Sequence, residues 1–159
     1  MVLRNILRHI LADRTAAGAM ELGLALPFLM LLGLGTVDAS MLIGTKLDLE
    51  QAAQRTTDFA LAKRPNGSNG SYLQAEAASA ANVSEQDVTV SIWLECNGLK
   101  QNDFNALCPS GETPARFVNV NITSDVETEF DWGSLASIVG VQTFGAKVPV
   151  SGDSSVRFQ

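Results

Sequence analysis

The sequence predicts an α+β chain in which a long N-terminal transmembrane helix continues into a small antiparallel-sheet domain. Three observations carry that prediction. Leu22 to Gly44 reads LGLALPFLMLLGLGTVDASMLIG, apolar or small throughout except for Asp38. Apolar residues then recur at helical spacing as far as Ala60, and beyond residue 87 the hydrophobic period changes to two.

The first element is residues 1–16, a cytoplasmic leader or amphipathic segment. Val2, Leu3, Ile6, Leu7, Ile10 and Leu11 share one helical stripe, and Arg4, Asn5, Arg8 and His9 take the other. Such a helix can lie on the inner membrane face; the alternative is a leader that only signals topology. The apolar run that follows is long enough to cross a hydrocarbon core of about 30 Å. A removable signal peptide carries an apolar region of only about 7–15 residues closed by a small-x-small site. This run continues instead into Met41-Leu42-Ile43, which favours a retained membrane helix.

Arg4, Arg8 and Arg14 precede the span, so the positive-inside bias puts the N-terminus in the cytoplasm. The portion from Lys46 onward then lies outside it. That portion keeps every acidic residue of the chain's 17 except Asp13, Glu21 and Asp38, and every basic residue of its 11 except those three arginines. Its net acidity makes nucleic acid an improbable partner.

Past the span, Leu49, Ala52, Ala53, Thr56, Phe59 and Ala60 form an apolar stripe among Lys46, Asp48, Glu50, Gln54, Arg55 and Asp58. The spacing predicts one helix over about 15–62, roughly 70 Å long; Pro27 is a site for a kink, although proline is better tolerated in membrane helices than in soluble ones. Residues 17–62 are therefore read as the long helix, with its span at about 22–44, and 63–159 as the non-cytoplasmic domain. Asn66-Gly67-Ser68-Asn69-Gly70-Ser71 reads as a flexible turn and 72–81 as a short helix.

Val88, Val90, Ile92 and Leu94 alternate with Asp87, Thr89, Ser91 and Trp93, the pattern of a half-buried strand. Val118, Val120, Ile122, Val126 and Phe130 alternate with Asn119, Asn121, Thr123, Asp125, Glu127 and Glu129 in the same way. Two further strands are expected, Thr143 to Val150 and Ser154 to Phe158, joined by a turn at Ser151-Gly152-Asp153. The inner face of this sheet offers a surface for the helix stripe to cover. Cys96 and Cys108 both fall in the exported part, where disulfides persist, and a bridge between them is the expected state.

Chemistry is sparse. The one histidine, His9, precedes the span, so the exported domain can hold no histidine-based triad, zinc ligand or general base. No phosphate-binding glycine motif occurs, and no cofactor is expected. Asp125, Glu127 and Glu129 could serve paired acid/base work, or with Asp131 could hold calcium; a solvated strand face explains them better. Asn66, Asn69, Asn82 and Asn121 each begin an Asn-x-Ser/Thr sequence of the kind short polar loops produce by chance.

The unusual residues lie in the apolar run itself. Glu21 opens it and Asp38 lies two-thirds along, and an intramembrane carboxylate costs on the order of 3 kcal/mol unless paired or protonated. About 25 Å of helix separates the two, too far for pairing within one chain. Each therefore calls for a partner elsewhere, or for an interfacial or protonated setting.

Arg14-Thr-Ala-Ala-Gly-Ala-Met-Glu21-Leu-Gly-Leu-Ala-Leu-Pro27-Phe-Leu resembles the start of TadE-like proteins, pseudopilins of the tight-adherence (Flp) pilus system. The family pattern is a basic residue, small residues, a glutamate, an apolar span with proline six positions on, and an acid eleven beyond that. Glu21, Pro27 and Asp38 match. The resemblance covers residues 14 to about 60, with a looser similarity in the Cys-bounded loop and the ending Ser154 to Gln159.

What the resemblance implies is a non-enzymatic part in pilus assembly in the bacterial inner membrane, with other pilins or pseudopilins and the pilus assembly platform as partners. It also implies a prepilin peptidase cut after Ala16 that leaves Ala17 first. The family usually has glycine before the cut and often an aromatic after the glutamate; here Ala16 and Leu22 occupy those places. An uncleaved chain is the alternative. Two other readings differ in class: a membrane-anchored periplasmic binding or sensor module, and an anchored hydrolase working through Glu127 and Glu129.

Overall fold

A computed structural model describes residues 14–138, 140 and 147–159, with side chains from residue 18 onward. The leader and His9 lie outside the described residues, apart from the leader's final turn. Helix α1 runs Arg14–Ala62, 49 residues without interruption at Pro27. It is followed by α2 (Ser71–Ala81), a 3-10 turn at Glu85–Asp87, β1 (Val88–Cys96), β2 (Leu99–Lys100), β3 (Pro114–Glu127), α3 (Trp132–Ile138) and β4 (Lys147–Arg157). By compactness the chain divides into residues 1–40 and 41–159.

In the second unit the four strands form one antiparallel sheet in the order β2-β1-β3-β4. Val88, Val90 and Ile92 face Ile122, Val120 and Val118 across the β1–β3 ladder. Together with Val150 and Val156 of β4 they form the sheet's inner face, as the alternation predicts. Leu49, Ala52, Ala53 and Ala60 of α1 join this core, as do Leu73, Ala77 and Ala78 of α2. Complete burial of side chains such as Leu73, Val120 and Ile122 contributes about 1.5–3 kcal/mol each.

Local chemistry ends the elements where the sequence supplies it. Asn82 takes the left-handed conformation after α2, and the Val83 N–H donates to the Ala78 carbonyl at 3.0 Å. Asn97-Gly98, both at positive φ, make the two-residue turn from β1 to β2 that Asn-Gly favours. Asp131 precedes α3 and accepts from the Ser134 N–H at 3.0 Å.

Four expectations need correction. No turn occurs at 151–153: Lys147–Arg157 is one strand, with Gly152 opposite Ile122 in the middle of the ladder. Its glycine serves a close approach rather than a bend, because a Cβ there would collide with the backbone of Leu49 and Glu50. The expected strand start at Thr143–Ala146 lies outside the described residues. Phe130 falls beyond the end of β3 and packs on Trp132 instead, ring centroids 4.7 Å apart.

Phe59 belongs at the rim of the helix stripe, 37% exposed, with its ring edge toward Tyr72. Thr57, at the opposite edge of the stripe, is buried as well, its hydroxyl 3.0 Å from that of Ser154 on β4. Finally, Gly70 is no free turn residue: a Cβ there would come within 2.6 Å of Val90 Cγ1.

Candidate functional site

The candidate site is the apolar surface of α1, considered on its own over residues 18–40. Leu22, Leu24, Leu26, Phe28, Leu29, Met30, Leu32, Leu34 and Val37 are all exposed, Phe28 to 65%. Among the described residues this is the one helix long and apolar enough to cross a membrane. A soluble fold would bury such a surface, since exposed contiguous apolar area is a site of association or of lipid contact.

Glu21 lies at the exposed start of this surface and Pro27 is exposed within it. Pro27 has no N–H to give to the carbonyl of Gly23, four residues earlier, and the helix nevertheless continues. Asp38 differs from both: only 4% of its surface is accessible, and it is engaged rather than free. The structure does not bring Glu21 and Asp38 together, because one continuous run of helix separates them. Ala16 and Ala17 lie in the first turn of α1, so a peptidase would meet them as helix in this conformation.

Glycine is costly inside a helix, by about 0.5–1 kcal/mol against alanine. Gly23, Gly33 and Gly44 nonetheless stand in α1 with nothing within 4 Å of where a Cβ would be. Among the described residues no contact requires them. Small residues at such positions permit close approach of another helix, so these glycines add to what marks the surface.

In the second unit, β4 is held to α1 by two polar contacts around Gly152. Lys46 Nζ donates to the Ser151 carbonyl at 3.3 Å and pairs with Glu50 at 2.8 Å. That carboxylate, by hydrogen bond and then by charge, raises the Lys46 pKa above its ordinary value. The Thr57–Ser154 hydroxyl pair completes the set.

The strand carboxylates do not converge. Asp125, Glu127 and Glu129 are exposed, and Glu127 is paired with Lys147 across the β3–β4 ladder at 3.0 Å. The Lys147 pKa rises in consequence, through the hydrogen bond first and the charge second. Among the described residues no three His, Cys, Asp or Glu side chains are grouped to hold a metal ion. A polar cleft of about 520 Å³ lies between α1 and α2, lined by Asp48, Gln51, Arg55 and Asn82 among others.

Cys96 and Cys108 lie at disulfide-bonding distance, with Cα atoms 5.5 Å apart. The loop between them is tied to the core as well: Phe104 is buried in it, stacks on Phe158 and carries the Arg116 guanidinium over its ring at 5.0 Å. Nothing in the sequence of the loop marks Phe104, a lone aromatic among polar residues. For Gly152 a signal existed, since Val148, Val150, Ser154, Val156 and Phe158 keep one period of two across it.

Compared with known protein families, residues 16–58 match the model described as TadE-like protein. No curated protein and no solved structure matches the chain. The matched stretch starts at Ala16, contains Glu21, Pro27 and Asp38, and ends within the stripe that α1 lays on the sheet.

Proposed function

We propose that this chain, whose residues 16–58 fit the TadE-like pattern, is a minor pseudopilin or assembly component of a tight-adherence (Flp) pilus. It acts by packing α1 against the helices of other pilins in the bacterial inner membrane and catalyses no reaction of its own. Its N-terminus is cytoplasmic and its sheet domain lies outside the cytoplasm. The observation that carries this reading is that the family match coincides with the exposed, glycine-bearing part of α1.

Glu21 is the residue assembly can least do without. If a prepilin peptidase cuts after Ala16, the new amine of Ala17 lies about one helical turn from Glu21. In a low-dielectric bundle the glutamate of one subunit neutralises the amine of a neighbour, and leaving either alone is unfavourable. In an uncleaved chain Arg14, or a basic group on the assembly platform, takes the amine's place.

The test is Glu21→Gln, which keeps the shape and removes the charge. Membrane insertion should be unchanged and piliation lost. Normal pili from this variant would remove the role assigned to Glu21, and N-terminal sequencing of the native protein identifies the partner to pursue. A secretion ATPase, a prepilin peptidase and a small pilin encoded alongside would separate this reading from an anchored sensor module.

A further inference from the structure

The strand register fixes where the connection between β3 and β4 leaves the sheet. Glu127 faces Lys147 at one end of the ladder, and Phe117 faces Arg157 at the other. At the Lys147 end, β4 runs beside α1: Leu42 and Ile43 line an apolar groove of about 300 Å³ with Val148, Pro149 and Val150. Leu42 and Ile43 close the apolar run that ends at Gly44, and Ile43 is 61% exposed. The last apolar residues of that run therefore share a groove with β4.

The connection that leaves this end carries its own apolar side chains. Phe130 and Trp132 pack edge to face, and α3 adds Leu135 and Ile138, the latter 80% exposed. This seven-residue helix buries none of its residues. The Asp131 carboxylate holds its first turn by accepting from the Ser134 N–H and hydroxyl, which lower the Asp131 pKa. Trp132 is half-buried, while Leu135 and Ile138 are exposed to solvent.

We propose that residues 130–138, which follow β3, are a membrane-interface foot, with Phe130, Trp132, Leu135 and Ile138 seated among the headgroups of the bilayer that α1 crosses. The inference rests on the reading of residues 22–44 as the span. Aromatic rings with a polar edge favour the headgroup layer, and a short helix with one apolar side can lie in that layer. Asp125, Glu127, Glu129 and Asp131 outnumber Lys46 and Lys147 at this end. That balance repels anionic lipid, so the surface that fits is zwitterionic.

The two tryptophans are native probes for this geometry. Trp93 pairs with Phe117, ten positions along β3 from Glu127 and so about 33 Å away at 3.3 Å per residue. The full chain is reconstituted in phosphatidylcholine vesicles in which part of the lipid is brominated near the headgroup. In Trp93→Phe, the emission of Trp132 should fall at least twofold; in Trp132→Phe, that of Trp93 should not change.

A third chain, with both tryptophans replaced by Phe and Leu32→Trp added, reports the span through lipid brominated deep in the acyl region. Quenching of this probe without quenching of Trp132 would overturn the foot and leave the span standing. Absence of both would overturn the span reading and the foot with it. Quenching of Trp93 together with Trp132 would mean that the domain lies flat on the bilayer, which also overturns a foot at one end.

Discussion

Gly152 of β4 meets Leu49 of α1 so closely that a Cβ on the glycine would come within 2.7 Å of the Cβ of Leu49. The two residues set the distance between helix and sheet. Ala52, Ala53 and Ala60 keep the rest of that helix face small enough for the same approach.

Gly152→Ala should therefore lower stability by about 1–3 kcal/mol, the range for overpacking a filled core. Gly67→Ala is the matched control, since a Cβ there meets nothing within 4 Å. Urea unfolding of the detergent-solubilised protein reads both. Equal midpoints would mean that helix and strand do not pack this closely.

The reverse holds for Gly33, which stands in open space in α1. Gly33→Leu should leave the unfolding midpoint of the sheet domain where it is and raise local helix propensity, glycine being about 1 kcal/mol worse than alanine. Piliation should nevertheless be lost, because the larger side chain holds a neighbouring helix off. Wild-type piliation from Gly33→Leu would exclude this face from the subunit contact.

Cys96 and Cys108, 12 residues apart in sequence, should resist alkylation under denaturing, non-reducing conditions. Closing a loop of this size is worth about 3 kcal/mol in the chain-entropy model. Cys108→Ser should lose about that much and loosen Phe104 from its place on Phe158. Full labelling of both thiols in protein from an oxidising compartment would exclude the bridge.

Tyr72 is the one tyrosine of the chain, so its titration can be read directly by ultraviolet absorbance. Its hydroxyl donates to the Lys63 carbonyl at 2.8 Å, and desolvation raises its pKa above 10.0. The folded state thus favours the neutral phenol. The stability this contributes is fully present below the unfolded pKa and is lost as pH rises through the folded one. The absorbance midpoint should lie above 10.0 in the folded protein and return to it in urea; coincident midpoints would place Tyr72 in full contact with water.

The long helix and the two central strands were legible because each depends on a period that side chains alone display. Val88 through Leu94 and Val118 through Ile122 alternate without interruption, and Leu49 through Ala60 repeat at helical spacing. What was not legible depends on neighbours distant in sequence. Ser151-Gly152-Asp153 has the composition of a turn, and it is pairing with Asn121 to Thr123 of β3 that continues the strand through it. Phe59 has the spacing for burial, but it falls at the rim of the stripe beside Tyr72, while Thr57 at the other edge reaches Ser154. α3 was missed because Trp132 to Ile138 serves no core and so carries no pattern of burial. In the candidate site, Glu21, Pro27 and Asp38 were visible as exceptions within an apolar run. The near-complete burial of Asp38 was not.

The hydrogen bond from Lys46 to Ser151 joins residues 105 positions apart, which has a bearing on the order of events during synthesis. At about 5–20 residues per second, the stripe on α1 is made some 5–20 s before the strand that covers it. Over that interval α2 is the earliest partner, since its Leu73 and Ala77 share the same cluster and need only the short link at 63–70 to reach it. The helical pair can thus be made before β4 exists to close over it. A nascent chain stalled ahead of Lys147 would show its half-covered stripe to whatever chaperone attends it.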